Sequence, residues 1–135
     1  MQASGTFTVA DFTPTPVPGQ QVQTAIPLGI ATMDKRFEGD VSGRATTLFT
    51  SAFDESTGAG TYVAMESFDG TVHDRAGAFN FAHSKTTLGD SPQDEFFVIV
   101  PGSGTKDLAG ITGTGGIRVD ADGTHHIWFD YELNR

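Results

Sequence analysis

Five polar residues of this chain are in phase with large apolar residues, so that all of them would lie on the inner face of a β-barrel. They are Tyr62, Glu66, His83, His125 and Tyr131. Successive side chains of a strand point to opposite faces, so Glu66 shares a face with Phe68, and His83 shares one with Phe81. A few polar groups among aromatic ones are typical of a pocket that orients a small molecule. We therefore expect these residues to face an apolar interior.

Glu66 and His83 are the predicted catalytic residues. Burial would raise the pKa of the Glu66 carboxyl, which could then act as general acid or base near neutral pH with His83 as its proton partner. The predicted substrate-binding residues have the same inward phase: Tyr62, Phe49, Phe68, Phe79, Phe81, His125, Phe129 and Tyr131. The structural alternative is that Glu66 pairs with Arg75 or with backbone groups at the end of the barrel, and that each histidine is hydrogen-bonded in place.

Histidines and carboxylates also bind metals, but their spacing here does not favour a metal site. His125 and His126 are adjacent and must point to opposite faces of a strand, and no His-x-His or His-Glu pair occurs. The chain has no cysteine, which excludes disulfides, thiolate zinc sites and a thiol nucleophile. We expect neither a metal nor a cofactor.

The elements that must position these residues are β-strands. A chain of 135 residues with 17 glycines and 11 phenylalanines is typical of a single β domain, here residues 1–135, with many tight turns. Alternating runs predict about eight antiparallel strands, with two-residue hairpin turns at Asp69-Gly70 and Asp122-Gly123 and a polar loop over residues 86–94. Because the connections are local, we predict a closed all-β barrel rather than a β-sandwich.

A glycine-rich stretch over residues 100–116 follows the apolar run that ends at Val100. A phosphate-binding loop would need a long helix after it, and Gly110 and Gly113 interrupt any such helix. The stretch predicts instead a corner of the barrel, with a short helical turn over residues 104–109 that Ser103 caps.

The charge of the chain excludes two classes of partner. A net charge of −9 and scattered basic residues argue against nucleic acid and against an anionic membrane surface. No basic segment followed by an apolar one marks a signal peptide, and no apolar run is long enough to span a membrane. We expect a cytoplasmic protein.

Several short motifs resemble a known family. They are Phe37-Glu38-Gly39-Asp40 with Gly43, Tyr62 and Glu66 before Gly70, Arg75-Ala76-Gly77-Ala78-Phe79 with His83, Pro101-Gly102-Ser103-Gly104-Thr105 with Leu108-Ala109-Gly110, and His125 with Tyr131. Together they resemble the bacterial domain-of-unknown-function family 3224 over nearly the whole chain. The resemblance implies an allene-oxide-cyclase-like β-barrel, related in architecture to lipocalins and often a homo-oligomer, here a dimer or trimer. It implies no activity.

Three functions are compatible with these residues. The leading hypothesis is a cofactor-free isomerase, cyclase or lyase that acts on a small apolar molecule inside the barrel. The alternatives are a lipocalin-like binding protein that performs no chemistry, and a structural protein whose interior is packed. Trp128 is out of phase with the core, and it would contact another subunit or lie under the proline-containing segment of residues 13–19.

Overall fold

The computed structural model of this protein describes residues 1–89 and 91–134. Its elements are the strands β1 (Gln2–Thr15), β2 (Leu28–Gly39), β3 (Val41–Asp54), β4 (Ala59–Val72), β5 (Arg75–Leu88), β6 (Ser91–Ile99), β7 (Ile111–Val119) and β8 (His125–Leu133), and a 3-10 turn (Lys106–Leu108). Each strand pairs antiparallel with the next, and β8 returns to pair with β1, so the strands form a barrel. The prediction of an all-β fold with eight antiparallel strands is confirmed.

The ladders of the barrel are unequal. β3 and β4 pair along their whole length, from Val41 opposite Val72 to Asp54 opposite Ala59. Within the described part of the chain, β6 and β7 pair only where Ile99 lies opposite Gly113. The wall of the barrel therefore has its shortest ladder between β6 and β7.

One half of the interior is filled by side chains. Its aromatic members are fully or almost fully buried: Phe7, Phe37, Phe68, Phe79, Phe81, Phe129 and Tyr131. The 3-10 turn adds Leu108, which is also fully buried. We call this cluster the packed half, and it closes the end of the barrel at which β4 turns into β5.

Two turns differ from the sequence prediction. β4 continues through Asp69-Gly70 and ends at Val72, and the turn is formed by His73 and Asp74, whose φ values of 49° and 66° suit a tight hairpin. Gly70 lies inside the ladder instead, where a Cβ atom would stand 2.1 Å from a backbone oxygen of β3. A hairpin turn lies at Asp122-Gly123 as predicted, but it is longer than two residues: residues 120–124 connect β7 to β8, and the amide of Gly123 donates to the carbonyl of Asp120.

Two further local predictions are wrong. Most of the region predicted as a polar loop, residues 86–94, belongs to β5 and β6, and Asp90 lies outside the described residues. A short helical turn is present as predicted, but Ser103 does not cap it. The Ser103 hydroxyl instead donates to the carbonyl of Val100 and accepts from the amide of Asn80, which fixes the glycine-rich corner against β5.

Trp128 lies on the outer face of the barrel, as its phase predicts. A Cβ atom on Gly116 would stand 2.2 Å from its ring, so the ring covers the backbone of β7 at this glycine. Among the residues that the structure describes, no helix has the length and apolar character needed to cross a membrane.

Candidate functional site

A buried charged network lies next to the packed half. The Glu66 carboxylate on β4 is fully buried and accepts three hydrogen bonds, from Lys35 Nζ on β2 at 2.7 Å, from Thr47 Oγ1 on β3 at 2.9 Å and from His83 Nε2 on β5 at 2.5 Å. Lys35 Nζ also lies 4.9 Å from the centre of the Phe7 ring. Four neighbouring strands thus bring together groups that are distant in the sequence.

The charge state of Glu66 differs from the sequence prediction. Burial by itself raises the pKa of its carboxyl, but the hydrogen bonds and charges of His83 and Lys35 outweigh this effect and lower the pKa below its usual value. The predicted raised pKa is therefore wrong, and the structural alternative of a pair with Arg75 is wrong too, because the partners of Glu66 are Lys35, Thr47 and His83. Glu66 is an ionised acceptor that orients the groups around it, rather than an acid near neutral pH.

His83 connects this network to Tyr62. Because the Glu66 carboxylate only accepts hydrogen bonds, His83 Nε2 carries a proton. His83 Nδ1 lies 3.0 Å from the Tyr62 hydroxyl and accepts a hydrogen bond from it when the imidazole is neutral. The imidazole plane is held by nearly parallel contacts with the rings of Phe81 and Phe97. Tyr62, His83 and Glu66 therefore form one hydrogen-bonded chain, which we call the relay.

Tyr62 should remain protonated well above its ordinary range. Burial, followed by the negative charges of Glu66 and Glu95, raises the pKa of Tyr62 to about 12 from an ordinary value of 10.0. Ultraviolet titration should therefore show a tyrosinate component at about pH 12 that the Tyr62→Phe variant lacks. Full ionisation of the wild-type tyrosines near pH 10 would contradict this expectation.

The mouth of the barrel is an open aromatic cavity of about 550 Å³ above the relay. We define the mouth by the residues that line it, which include Phe12, Leu28, Phe49, Phe53, Tyr62 and Lys85. The rings of Phe49 and Tyr62 are stacked at 5.2 Å, and Phe12 meets Phe49 edge-on. A concave space that combines aromatic rings with polar side chains such as Glu55 and Lys85 has the size and character of a small-molecule site.

A second cavity, of about 190 Å³, opens through the wall between β6 and β7, and we call it the side gap. β5, β6 and β7 each contribute three consecutive residues to it, from His83, Glu95 and Gly115 onward. Consecutive residues of a strand face opposite sides of the sheet, so this cavity passes through the wall. It coincides with the missing part of the β6–β7 ladder.

The structure separates the other predicted binding residues from both cavities. Phe68, Phe79, Phe81, Phe129 and Tyr131 belong to the packed half and line neither cavity. The Tyr131 hydroxyl lies 2.6 Å from Nδ1 of His73 at the closed end. His125 packs beside Phe7, with 5.0 Å between the ring centres, and also lines neither cavity. Of the predicted residues, Glu66, His83, Tyr62 and Phe49 come together.

Sequence reasoning missed several residues of this site. Lys35 was detectable, because it alternates with Phe37 on β2 and therefore faces inward. Lys85 was detectable in the same way, since it follows His83 in phase on β5. Thr47 and Phe53 share the phase of Phe49 on β3. Within residues 1–89 and 91–134, no cluster of histidines and carboxylates has the arrangement of a metal site.

Comparison with known proteins assigns this fold and site to a family. The family model described as "Protein of unknown function (DUF3224)" matches residues 3–131. A crystal structure of a protein with unknown function from the DUF3224 family of Shewanella oneidensis MR-1 is similar, with a TM-score of 0.87 and 27% sequence identity over 100% of this chain and 98% of that chain. No curated protein matches the chain. Because the family model spans all eight strands, this barrel belongs to the DUF3224 family.

Proposed function

We propose that this protein is an isomerase that needs no redox cofactor and moves a proton on a small apolar substrate bound in the mouth. The observation that carries the proposal is the relay, which joins Tyr62, a residue that lines both cavities, to the buried carboxylate of Glu66 through His83. A protein that only enclosed an apolar molecule would need aromatic walls, but not a buried acid and imidazole behind them.

The mouth supports binding of the substrate. Its volume of about 550 Å³ lies within the usual range for small-molecule pockets, and four aromatic rings belong to its lining. Burial of apolar surface against Phe12, Phe49 and Phe53 would supply the affinity. Buried side chains fill the packed half, so the substrate would lie at the mouth rather than deep inside the barrel.

The relay supports proton transfer. In the proposed step, a C–H bond of the substrate breaks and its proton passes to the Tyr62 oxygen, while the Tyr62 proton passes to His83 Nδ1. The electron pair stays on the substrate as an enolate, and the Glu66 carboxylate stabilises the imidazolium. Reversal of the step at a different substrate atom completes the isomerisation and restores the relay. No oxidant or reductant is needed.

Hydrogen isotope exchange tests this step without knowledge of the natural substrate. We expect the protein to accelerate deuterium uptake from D₂O into an apolar ketone that it binds, such as 2-tetralone, measured by mass spectrometry. The Tyr62→Phe variant keeps the aromatic ring but removes the hydroxyl, and it should lower this acceleration by about a hundredfold.

Tyr131→Phe is the matched control, because it removes the other tyrosine hydroxyl at the closed end, where it contacts His73. This variant should retain the full acceleration. If ketones bind in the mouth and none exchanges faster than without protein, the proposed chemistry is refuted.

A binding protein that performs no chemistry is the second candidate, and one observation favours it. Among the described residues, no buried side-chain nitrogen or oxygen lacks a hydrogen-bond partner, so the relay is satisfied without a ligand. Tight binding in the mouth without isotope exchange would support this candidate over the isomerase.

A further inference from the structure

We propose that the mouth and the side gap form a single site for a planar aromatic molecule that bears one carboxylate. The aromatic body would lie in the mouth, and the carboxylate would lie at Lys85, where the side gap begins. This inference rests on the proposed function, because it identifies the class of molecule that occupies the mouth.

The two cavities are contiguous at Tyr62 and Lys85. These are the residues that line both of them. Both project inward from neighbouring strands, and their backbones lie opposite each other in the β4–β5 ladder. The partition between the cavities is therefore a pair of side chains, one of which is a flexible lysine. A ligand that moved the lysine aside would extend from the aromatic walls to the polar gap.

Lys85 provides a charge that selects the polar group of the ligand. Among the described residues that line either cavity, it is the one lysine or arginine. Its ammonium lies 3.5 Å from Glu95, whose side chain is 49% exposed. An ion pair with so exposed a partner contributes little. A ligand carboxylate that arrived from the mouth would meet the ammonium beside the rings of Tyr62 and Phe97, where less water screens the interaction.

The backbone of the side gap favours a polar group there. Within the described residues, the β6 and β7 edges pair at Ile99 and Gly113, so beyond that pair their amide and carbonyl groups face the gap. Gly115 lacks a side chain, and a Cβ atom there would stand 2.9 Å from the Phe97 ring. The gap is polar and small, whereas the mouth is aromatic and about three times as large.

The walls of the mouth determine the shape of the apolar part. Phe49 and Tyr62 stack on each other, and Phe12 and Phe53 complete an aromatic rim. Aromatic rings gain from offset-stacked and edge-on contacts beyond the burial of their area. A rigid planar body also loses less conformational freedom on binding than a flexible chain does.

Calorimetric titration with 2-naphthoate and 2-naphthalenemethanol tests the inference, because these probes share the aromatic body and differ in charge. We expect 2-naphthoate to bind wild-type protein at least about tenfold more tightly than the alcohol. Lys85→Met should remove this preference by weakening the binding of 2-naphthoate. Lys106→Met, which removes an exposed lysine on the 3-10 turn, should change neither affinity.

The possible results distinguish this inference from the proposed function. If neither probe binds the wild-type protein, both the mouth as a binding site and this inference are overturned. If both probes bind equally well and Lys85→Met changes neither, the assignment of the carboxylate is overturned and binding in the mouth stands. Equal binding of decanoate and 2-naphthoate would overturn the planar shape. The wild-type comparisons remain decisive even if Lys85→Met does not fold.

Discussion

Replacing Lys35 by methionine should lower the free energy of unfolding at pH 7 by about 3–5 kcal/mol. The substitution keeps the length and apolar contacts of the side chain, but it leaves the Glu66 carboxylate buried without the cation 2.7 Å away. His83 and Thr47 continue to donate to Glu66, so the loss should lie at the lower end of this range. Urea denaturation followed by fluorescence of Trp128 measures it.

Arg44→Met is the matched control for this prediction. Arg44 pairs with Asp34 at 3.2 Å on the outer face, and its side chain is 51% exposed. An ion pair in water contributes at most about 1 kcal/mol, so this variant should have nearly wild-type stability. Equal losses in the two variants would show that the buried pair is not a special source of stability.

The effect of Lys35→Met should depend on pH in a defined direction. The folded-state pKa of Glu66 lies below its ordinary value of 4.5, so ionised Glu66 contributes stability above that pH. This contribution is lost as the pH falls through the lowered pKa. Without Lys35 the pKa of Glu66 is less depressed, and the stability difference between the variant and wild type should shrink below about pH 4.5. A difference that grew on acidification would contradict the assigned charge state.

A second large loss of unfolding free energy is expected from a substitution in the packed half, and a much smaller one from a substitution in the mouth. Phe129→Ala removes a fully buried ring that packs against Phe79, Phe81 and Phe97, and it should cost about 3–5 kcal/mol of unfolding free energy. Phe49→Ala removes a partly exposed ring from the mouth, and it should cost much less stability. Thermal and urea unfolding of both variants provide the comparison.

The same pair of variants should show the opposite order in binding. Phe49→Ala should weaken 2-naphthoate binding, because Phe49 stacks with Tyr62 in the wall of the mouth. Phe129 lines neither cavity, so the folded fraction of Phe129→Ala should bind with nearly wild-type affinity. If Phe129→Ala abolished binding while remaining folded, the ligand site would extend into the packed half.

Alternation of residue types was sufficient to predict the barrel and part of the site. The inward phase of Phe79, Phe81 and His83 is correct, and so is the proximity of His83 to Glu66. Alternation specifies which side of a strand a residue faces, and in a ring of strands one side is the interior. The inner face of this fold is therefore readable from the sequence alone.

The position of a residue along the barrel axis was not readable in this way. Phe49 and Phe129 have the same phase, yet Phe49 lines the mouth and Phe129 is packed. The distinction depends on how strands are staggered, and the turn at His73-Asp74 in place of Asp69-Gly70 shifts that stagger. The charge of Glu66 depended on Lys35, which is 31 residues away in the sequence and becomes its partner only through the barrel.

Among the residues that the structure describes, β6 and β7 share one residue pair, so the barrel is closed there by a much shorter ladder than elsewhere. The strands form one curled sheet that runs from β7 through β8 and β1 to β6, and its two edge strands meet at this short ladder beside the relay. Aromatic contacts of Phe97 with Phe81 at 5.3 Å and with Phe129 at 5.7 Å hold these edges together. Transient separation of β6 from β7 would require the contacts of Phe97 and the pairing of Ile99 with Gly113 to break, while the longer strand pairings stay intact. Local opening of the barrel should therefore be concentrated between β6 and β7, where the side gap gives solvent and small molecules access to His83.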